Sequence, residues 1–431
     1  MRKDATMVLG IKIKIESGLT SATLTDPNSI KDIYVIGSGK YKAEDKNNTP
    51  ILITNASDIE ASTIDDITKE AITGIFFVYP LARVSFVSAV KVGDYSTGIP
   101  DLGQLYEDFE YSLDVLNEQK NLELGIFLFP QMARFKDYTP ETGAESSAKA
   151  ITNYRKRIIT AADKLAKANS WLFFCNTTDK TTQQIKADGS ISDEDKDSFT
   201  LQSIDKTIEE VNEYRDLSKY GHVSVFYGKT YVSELKGKPK ELSQSVPMAA
   251  IAAATVLKSS ANEGVGQPPA GVAYPLPKEF EDKLEGKIVK ETDYNLLKTN
   301  HVNFVTSIKN TGYCFWSSRT LARDPKFWFI NTRMVVSLIT ENLRQVMTRF
   351  IAEPYDPRGQ TSVAALAATT SILQNAYSSG LLSGNSIQEA YSVKINPNSK
   401  PYEIEIEVRI RPVYTVESIT ISVINELVIA A

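Results

Sequence analysis

The stretch GYCFWSSRTLARDPKFWFINTRMVVSLITENLRQVM, residues 312–347, sets out an architecture within one short run of chain. Its aromatic opening, Gly312–Trp316, predicts a buried strand, and the apolar run Phe327–Ile330 predicts a second. Then Val335, Val336, Leu338, Ile339, Leu343, Val346, Met347 and Phe350 recur at helical spacing, so one side of a long helix is apolar. Pro354 and Pro357 end it. A second helix is predicted over Thr361–Ser378, with Gly380 placed to take a positive φ at its end. Beyond lie strands alone. Tyr402, Ile404, Ile406, Val408 and Ile410 alternate with Glu403, Glu405, Glu407, Arg409 and Arg411, and after Pro412 a final strand is predicted over Ile419–Ile429.

Working back from residue 312, strands are predicted over Val302–Ile308, Val223–Tyr227, Trp171–Cys175 and Leu124–Phe129. Apolar positions Leu102, Leu105, Phe109, Leu113 and Leu116 mark one helix; Ile151, Tyr154, Ile158, Ala161 and Leu165 mark another. Leu201, Ile204, Ile208 and Val211 fit a third, and Met248–Leu257 is apolar all round, hence buried. Earlier still come strand Asp32–Ile36, strand Ile51–Thr54, helix Ile64–Ile75 and strand Arg83–Val92. Short apolar strands alternating with helices argue for a parallel sheet covered on both faces. Residues 259–290, rich in Gly, Pro and charge, read as an ordered excursion or a domain boundary. The N-terminus supplies one more alternating strand, with Ile11, Ile13 and Ile15 facing one way and Lys12 and Lys14 the other. The fold class is therefore α/β, tending to α+β overall.

Composition removes whole classes of function. The chain has 431 residues, net charge −5, 42% apolar and 23% charged residues, values that fit folded globular domains and exclude disordered, collagen-like or disulfide-framework proteins. Two Cys and two His leave little for metal or triad chemistry, and a mildly acidic chain presents no global field for nucleic acid or anionic membranes. MRKDATMVLG has no apolar run of signal-peptide type, and the apolar region 71–90 is broken by Pro80 and Arg83; neither secretion nor membrane insertion is expected. Gly37-Ser38-Gly39-Lys40 follows a strand and resembles a phosphate loop, yet the spacing refuses it: the loop needs Gly at 34 and Ser or Thr at 41, where this chain has Tyr34 and Tyr41. A tight glycine turn is the better reading. No metal, cofactor or catalytic residue is assigned.

Two features point to assembly. Residues 301–431 hold 8 of the 14 arginines but 4 of the 34 lysines and carry +2, leaving −7 on residues 1–300. Arginine is favoured where ion pairs are desolvated, so interfaces or intradomain pairs are both open. The terminal strands, 11–15 and 402–429, must each join a sheet to satisfy their backbone groups; that sheet belongs either to the same chain or to a neighbour. Lys12 and Lys14 would complement Glu403, Glu405 and Glu407 across strands.

Residues 312–347 resemble the contractile tail sheath family, in which a Trp-x-x-Arg-Thr element leads through an aromatic strand and an Asn/Arg turn into a long helix. The resemblance continues through EPYDP, SSGLLSG, QEAYSVKIN and EIEVRIRPVYTVESITISV, and upstream through VPMAAIAAATVLKSSANEGVGQPPAG and, more loosely, NNTPILITNASDIE and ITGIFFVYPLARVSFVSAV. The Pro-Gly-Val-Tyr opening common in the family is replaced by GIKIKIES. The resemblance implies a non-enzymatic subunit forming hexameric rings stacked around an inner tail tube, with baseplate and tail-terminator partners. Such a subunit assembles in host cytoplasm, resides in a virion tail, and contracts to drive the tube through a target envelope for genome ejection. It also implies an N-terminal arm (1–25), an outer α/β domain (26–245), an inner core domain (246–415) and a C-terminal arm (416–431). Exchanged strands would carry Ile11, Lys12, Ile13, Lys14, Ile15, Glu403, Glu405, Glu407, Ile419, Ile421 and Val423. Charged lateral contacts would fall to Arg319, Arg323, Arg333, Arg344 and Arg349, and the tube side to Arg358, Thr361 and Ser362. The alternatives are the sheath of a bacteriocin-like or secretion-type particle, and a cytosolic α/β enzyme or ligand-binding protein using the C-terminal edge of the parallel sheet.

Overall fold

The computed structural model describes residues 9–11, 30–42, 49–53, 57–88, 102–119, 122–133, 147–177, 179–181, 199–232, 245–351, 359–396 and 404–416. Its centre is a seven-stranded sheet. Reading across, the strands are Val302–Asn303, Val223–Phe226, Leu172–Asn176, Gly125–Leu128, Asp32–Gly37, Arg83–Ser88 and Ile51–Ile53; the first six are parallel and the last antiparallel. The four inner parallel strands are buried along their whole length, as expected of a sheet covered on both sides.

Side-chain alternation assigns the covering helices. Phe127, Phe129 and Phe173 face one way; Phe129 and Phe173 meet Phe109 of helix Leu102–Glu118, Phe127 stacks on Phe173, and helix Ser147–Asn169 lies beside the first helix. Phe174 and Asn176 face the other way, where Asn176 Oδ1 accepts from the backbone N–H of Ala249 in helix Met248–Glu263. Helix Asp66–Val78 lies against that same helix, close enough that a Cβ on Gly74 would sit 3.1 Å from Ile251. The parallel α/β arrangement expected from the sequence is thus present.

Strand Val302–Asn303 and helix Met248–Glu263 both belong to this sheet layer, so it draws on residues beyond the expected division at 245/246. Residues 259–290 are an ordered excursion. The helix runs on to Glu263 and stops at Gly264, φ +87°; the chain then lies along strand Gly312–Phe315, with Gly271 N–H donating to Phe315 O and Leu276 N–H to Tyr313 O.

Three local expectations need correction, and one helix forms where the sequence marked no element. Phe327–Ile330 is not a strand: Asp324 accepts from Lys326 N–H, Pro325 opens a 3-10 turn over Pro325–Phe327, and the long helix begins at Ile330. An apolar run of that length fits a buried helix start as well as a strand. Val302–Ile308 is two strands, split at Phe304, the first in the large sheet and the second, Val305–Ile308, in a hairpin with Gly312–Phe315. Leu201 lies in strand Phe199–Leu201, and helix Ile204–Asn212 begins after it, capped by the Ser203 side chain. The polar segment Glu291–Thr299 forms a helix with Leu297 as its one buried residue.

The C-terminal part packs helix Ile330–Thr348 against helix Gln360–Ser378, which ends at Gly380 with φ +71°. A three-stranded sheet follows, ordered Leu9–Ile11, Ile406–Ile410, Tyr391–Ile395, antiparallel throughout.

Candidate functional site

The C-terminal edge of the parallel sheet is where an α/β enzyme would bind its ligand. Here the described residues fill it from within. Asp65 caps helix Asp66–Val78: its carboxylate accepts from Thr68 N–H at 2.9 Å, Ser38 N–H at 2.8 Å and Gln131 Nε2 at 2.7 Å. A helix N-terminus beside a glycine turn attracts an anion, and the chain supplies its own. Burial pushes the Asp65 pKa up, with those hydrogen bonds opposing it. The approach is close: a Cβ on Gly37 would lie 2.3 Å from Thr68 Oγ1 and 2.8 Å from Asp65 Oδ2, while Gly39 holds φ +91°. The resemblance to a phosphate loop therefore comes down to a turn closed over a carboxylate.

One strand across, Arg155 is 1% exposed and fully engaged. Nη1 donates to Met132 O at 2.6 Å and Nη2 to Asn176 O at 2.7 Å; Nε reaches Tyr214 Oη at 3.2 Å and Glu210 Oε1 at 2.9 Å. Burial disfavours its charge, but Glu210 and Tyr214 raise its pKa overall. No sequence periodicity marks this residue; it sits at a polar position of an amphipathic helix. A groove of about 590 Å³ opens at the opposite, N-terminal end, lined in part by Ile30, Lys31, Leu81, Arg83 and Glu263.

Neither histidine is placed for ligation. His222 Nδ1 pairs with Trp171 O at 2.8 Å, and burial depresses its pKa well below 6.5; His301 Nδ1 pairs with Thr320 O at 2.7 Å. Cys175 and Cys314 are buried free thiols whose pKa values burial pushes up. Among the described residues no His/Cys/Asp/Glu group could hold a metal ion, and no helix is long and apolar enough to cross a membrane.

The terminal sheet places the expected strand-exchange residues unevenly. Leu9–Ile11 pairs with strand Ile406–Ile410 in the register Leu9↔Ile410, Gly10↔Arg409, Ile11↔Val408. Val408 and Ile410 are buried while Glu407 and Arg409 are exposed, the predicted alternation; Arg409 Nε lies 2.6 Å from Glu407 Oε1, and Glu405 Oε2 accepts from Asn396 Nδ2 at 2.9 Å. Lys12, Ile13, Lys14, Ile15, Glu403, Ile419, Ile421 and Val423 lie outside the described residues, as does Arg358. Thr361 and Ser362 are half-buried in the first turn of their helix.

The five arginines separate into two kinds. Arg319 and Arg333 are 7% and 6% exposed, so within the chain they are interior residues rather than parts of a lateral face. Arg319 stacks 4.7 Å over Trp328 and approaches His301 Nε2 at 3.2 Å; Arg333 Nε bonds Ser337 Oγ at 3.2 Å, and burial pushes its pKa down to about 9. The others reach solvent. Arg323 is 61% exposed beside Asp216, Arg344 pairs with Glu341 at 2.6 Å, and Arg349 is exposed at the end of its helix.

This architecture, a parallel sheet layer joined to a two-helix unit with a terminal three-stranded sheet, superposes as a whole on solved chains from contractile sheaths and injection systems. A chain from the anti-feeding prophage baseplate in its contracted state superposes with TM-score 0.64 at 15% identity, covering 98% of this chain and 100% of that one. A chain from the sheath complex of PVC, an extracellular contractile injection system, in its contracted state gives 0.62 at 15% identity over 97% and 99%. A sheath tail protein from Listeria innocua gives 0.54 at 8% identity over 92% and 94%. No protein-family model and no curated relative matches the sequence. Identities this low establish the shared fold alone.

Proposed function

We propose that this chain is the sheath subunit of a contractile tail or injection machine. It would polymerise as stacked hexameric rings around an inner tube, bounded by baseplate and tail-terminator proteins, and shorten to drive the tube through a target envelope. The observation that carries this is the end-to-end likeness to sheath structures, in which 92–100% of both chains superpose. The higher TM-scores, 0.61–0.64, are to chains from the anti-feeding prophage and from PVC, an extracellular contractile injection system, against 0.50–0.54 for tail sheath proteins. That difference favours an injection particle over a genome-ejecting virion tail. On this reading the subunit would assemble in bacterial cytoplasm before lysis or release.

The ladder between Leu9–Ile11 and Ile406–Ile410 supports strand exchange, because the same pairing made between neighbours leaves every backbone bond intact. Carried on in the assembled form, that register would set Lys12 opposite Glu407 and Lys14 opposite Glu405. The test is a Gly10→Cys/Arg409→Cys variant imaged by negative stain and then oxidised. Rings or striated tubes, with denaturing gels showing ladders of linked chains, are expected. Particles whose chains link only to themselves would refute exchange, and protein that never forms rings or tubes would refute the sheath reading.

A further inference from the structure

The turn after helix Ile204–Asn212 and the loop before Pro325–Phe327 meet at the start of strand Val223–Phe226, where Leu321 N–H donates to Val223 O. Each brings arginine. Arg323 Nε lies 2.8 Å from Asp216 Oδ1, and its carbonyl oxygen accepts from Trp328 Nε1 at 3.1 Å; that ring in turn carries the Arg319 guanidinium. Arg215 adjoins Asp216 in sequence, and its buried Nε finds no acceptor among the described residues. Burial first, then the nearby Arg323 and Arg319 charges, depress the Arg215 pKa, so the guanidiniums repel. Asp216 is set against them; Asp324, on the same loop, is engaged in capping its own turn.

A second surface has the opposite sign. Helix Leu102–Glu118 contains five acidic residues and no Lys or Arg. Asp108 is buried, while Glu107, Glu110, Asp114 and Glu118 are all exposed. At about 100° per residue their offsets of three, seven and eleven fall within one narrow arc. Like charges at that spacing weaken an isolated helix, and Asp114 and Glu118 also stand at its negative end. The helix bears an arrangement that its own stability opposes.

We propose that these surfaces meet between copies of the chain, the Arg215/Arg323 pair of one subunit, backed by the interior Arg319, seating against the acidic face of helix Leu102–Glu118 of the next. The inference deepens the sheath reading and rests on it for the lattice. Helix Ser147–Asn169 stands between the two surfaces, touching the acidic helix on one side and, through Asp163 to Ser218 Oγ at 2.6 Å, the arginine turn on the other. Two different patches set apart make a heterologous contact, which propagates into rings or helices instead of closing as a two-fold dimer.

Self-association of the full chain by sedimentation velocity, from about 0.01 to about 1 M salt, tests this, because the screening length falls from about 30 to about 3 Å. Arg323→Glu, at an exposed position, should weaken association about tenfold or more at low salt. Asp114→Lys should do the same, and mixing the two variants should restore assembly that neither supports alone. A second measurement, oxidation of mixed Arg323→Cys and Asp114→Cys chains, should give a disulfide-linked pair. Wild type that assembles while both charge variants assemble equally well overturns this contact and leaves the sheath reading standing. Loss without rescue on mixing also overturns it. Wild type that stays monomeric throughout overturns both.

Discussion

Replacing Arg155 by Met should cost the fold several kcal/mol, for reasons each visible around that side chain. The guanidinium satisfies the carbonyls of Met132 and Asn176, the Tyr214 hydroxyl and the Glu210 carboxylate, at 2.6, 2.7, 3.2 and 2.9 Å, and Glu210 is itself only 11% exposed. Removing one partner of a buried ion pair strands the other charge, at about 3–5 kcal/mol. The two orphaned carbonyls act in the same direction, but their costs overlap with this figure and do not add to it. A loss of about 4 kcal/mol is roughly a thousandfold in the folded-to-unfolded ratio. The Arg155→Met/Glu210→Met double variant should recover much of the loss, since the uncompensated carboxylate is gone and methionine fills the space. Urea unfolding of the dissociated chain, followed by circular dichroism, measures both differences at constant slope. A single-variant cost below about 1 kcal/mol, or a double variant no more stable than the single, would refute the idea that this pair clamps helices Ser147–Asn169 and Ile204–Asn212 to the sheet.

Two further outcomes follow from the same structure. Gly37→Ala should destabilise by about 1–3 kcal/mol, because its methyl meets Thr68 and Asp65 well inside contact distance; a variant as stable as wild type by thermal melting would show that the turn can give way. His222 is held neutral in the fold while the unfolded chain takes up a proton below about pH 6.5, so its contribution is complete above that pH and lost as pH falls. Asp65 and Asp163, whose pKa values burial raises, act in the opposite sense, so the comparison is made against His222→Gln. That variant should show a shallower acid decline, by up to about 1.4 kcal/mol per pH unit; identical slopes in unfolding free energy against pH would sink the assignment.

How much was legible follows from the kind of signal each residue leaves. Phe109, Phe127 and Phe173 announce themselves through period, and so the parallel sheet and the helices over it were readable. Asp65 was readable only in part: the failed phosphate-loop spacing predicted a plain turn, but nothing local said that a carboxylate would occupy the anion position. Arg155, Arg319 and Arg333 were beyond reach. An arginine such as Arg155, on a polar helix face, looks solvated until a distant carbonyl closes over it, and Met132 and Asn176 come from other elements. The excess of arginine over lysine in residues 301–431 left interfaces and intradomain pairs both open, and of the five arginines that the resemblance assigned to lateral contacts, Arg319 and Arg333 are interior.

By itself the sequence determined the alternation of strand and helix, the positions of turns, the absence of a nucleotide motif and the resemblance to sheath proteins, since all of these depend on spacing along the chain. Only the tertiary structure decided that Val302–Asn303 would join the large sheet and that Arg323 would stand beside Asp216 and Arg215. Those outcomes turn on contacts between residues far apart in sequence, where burial and pairing override local preference.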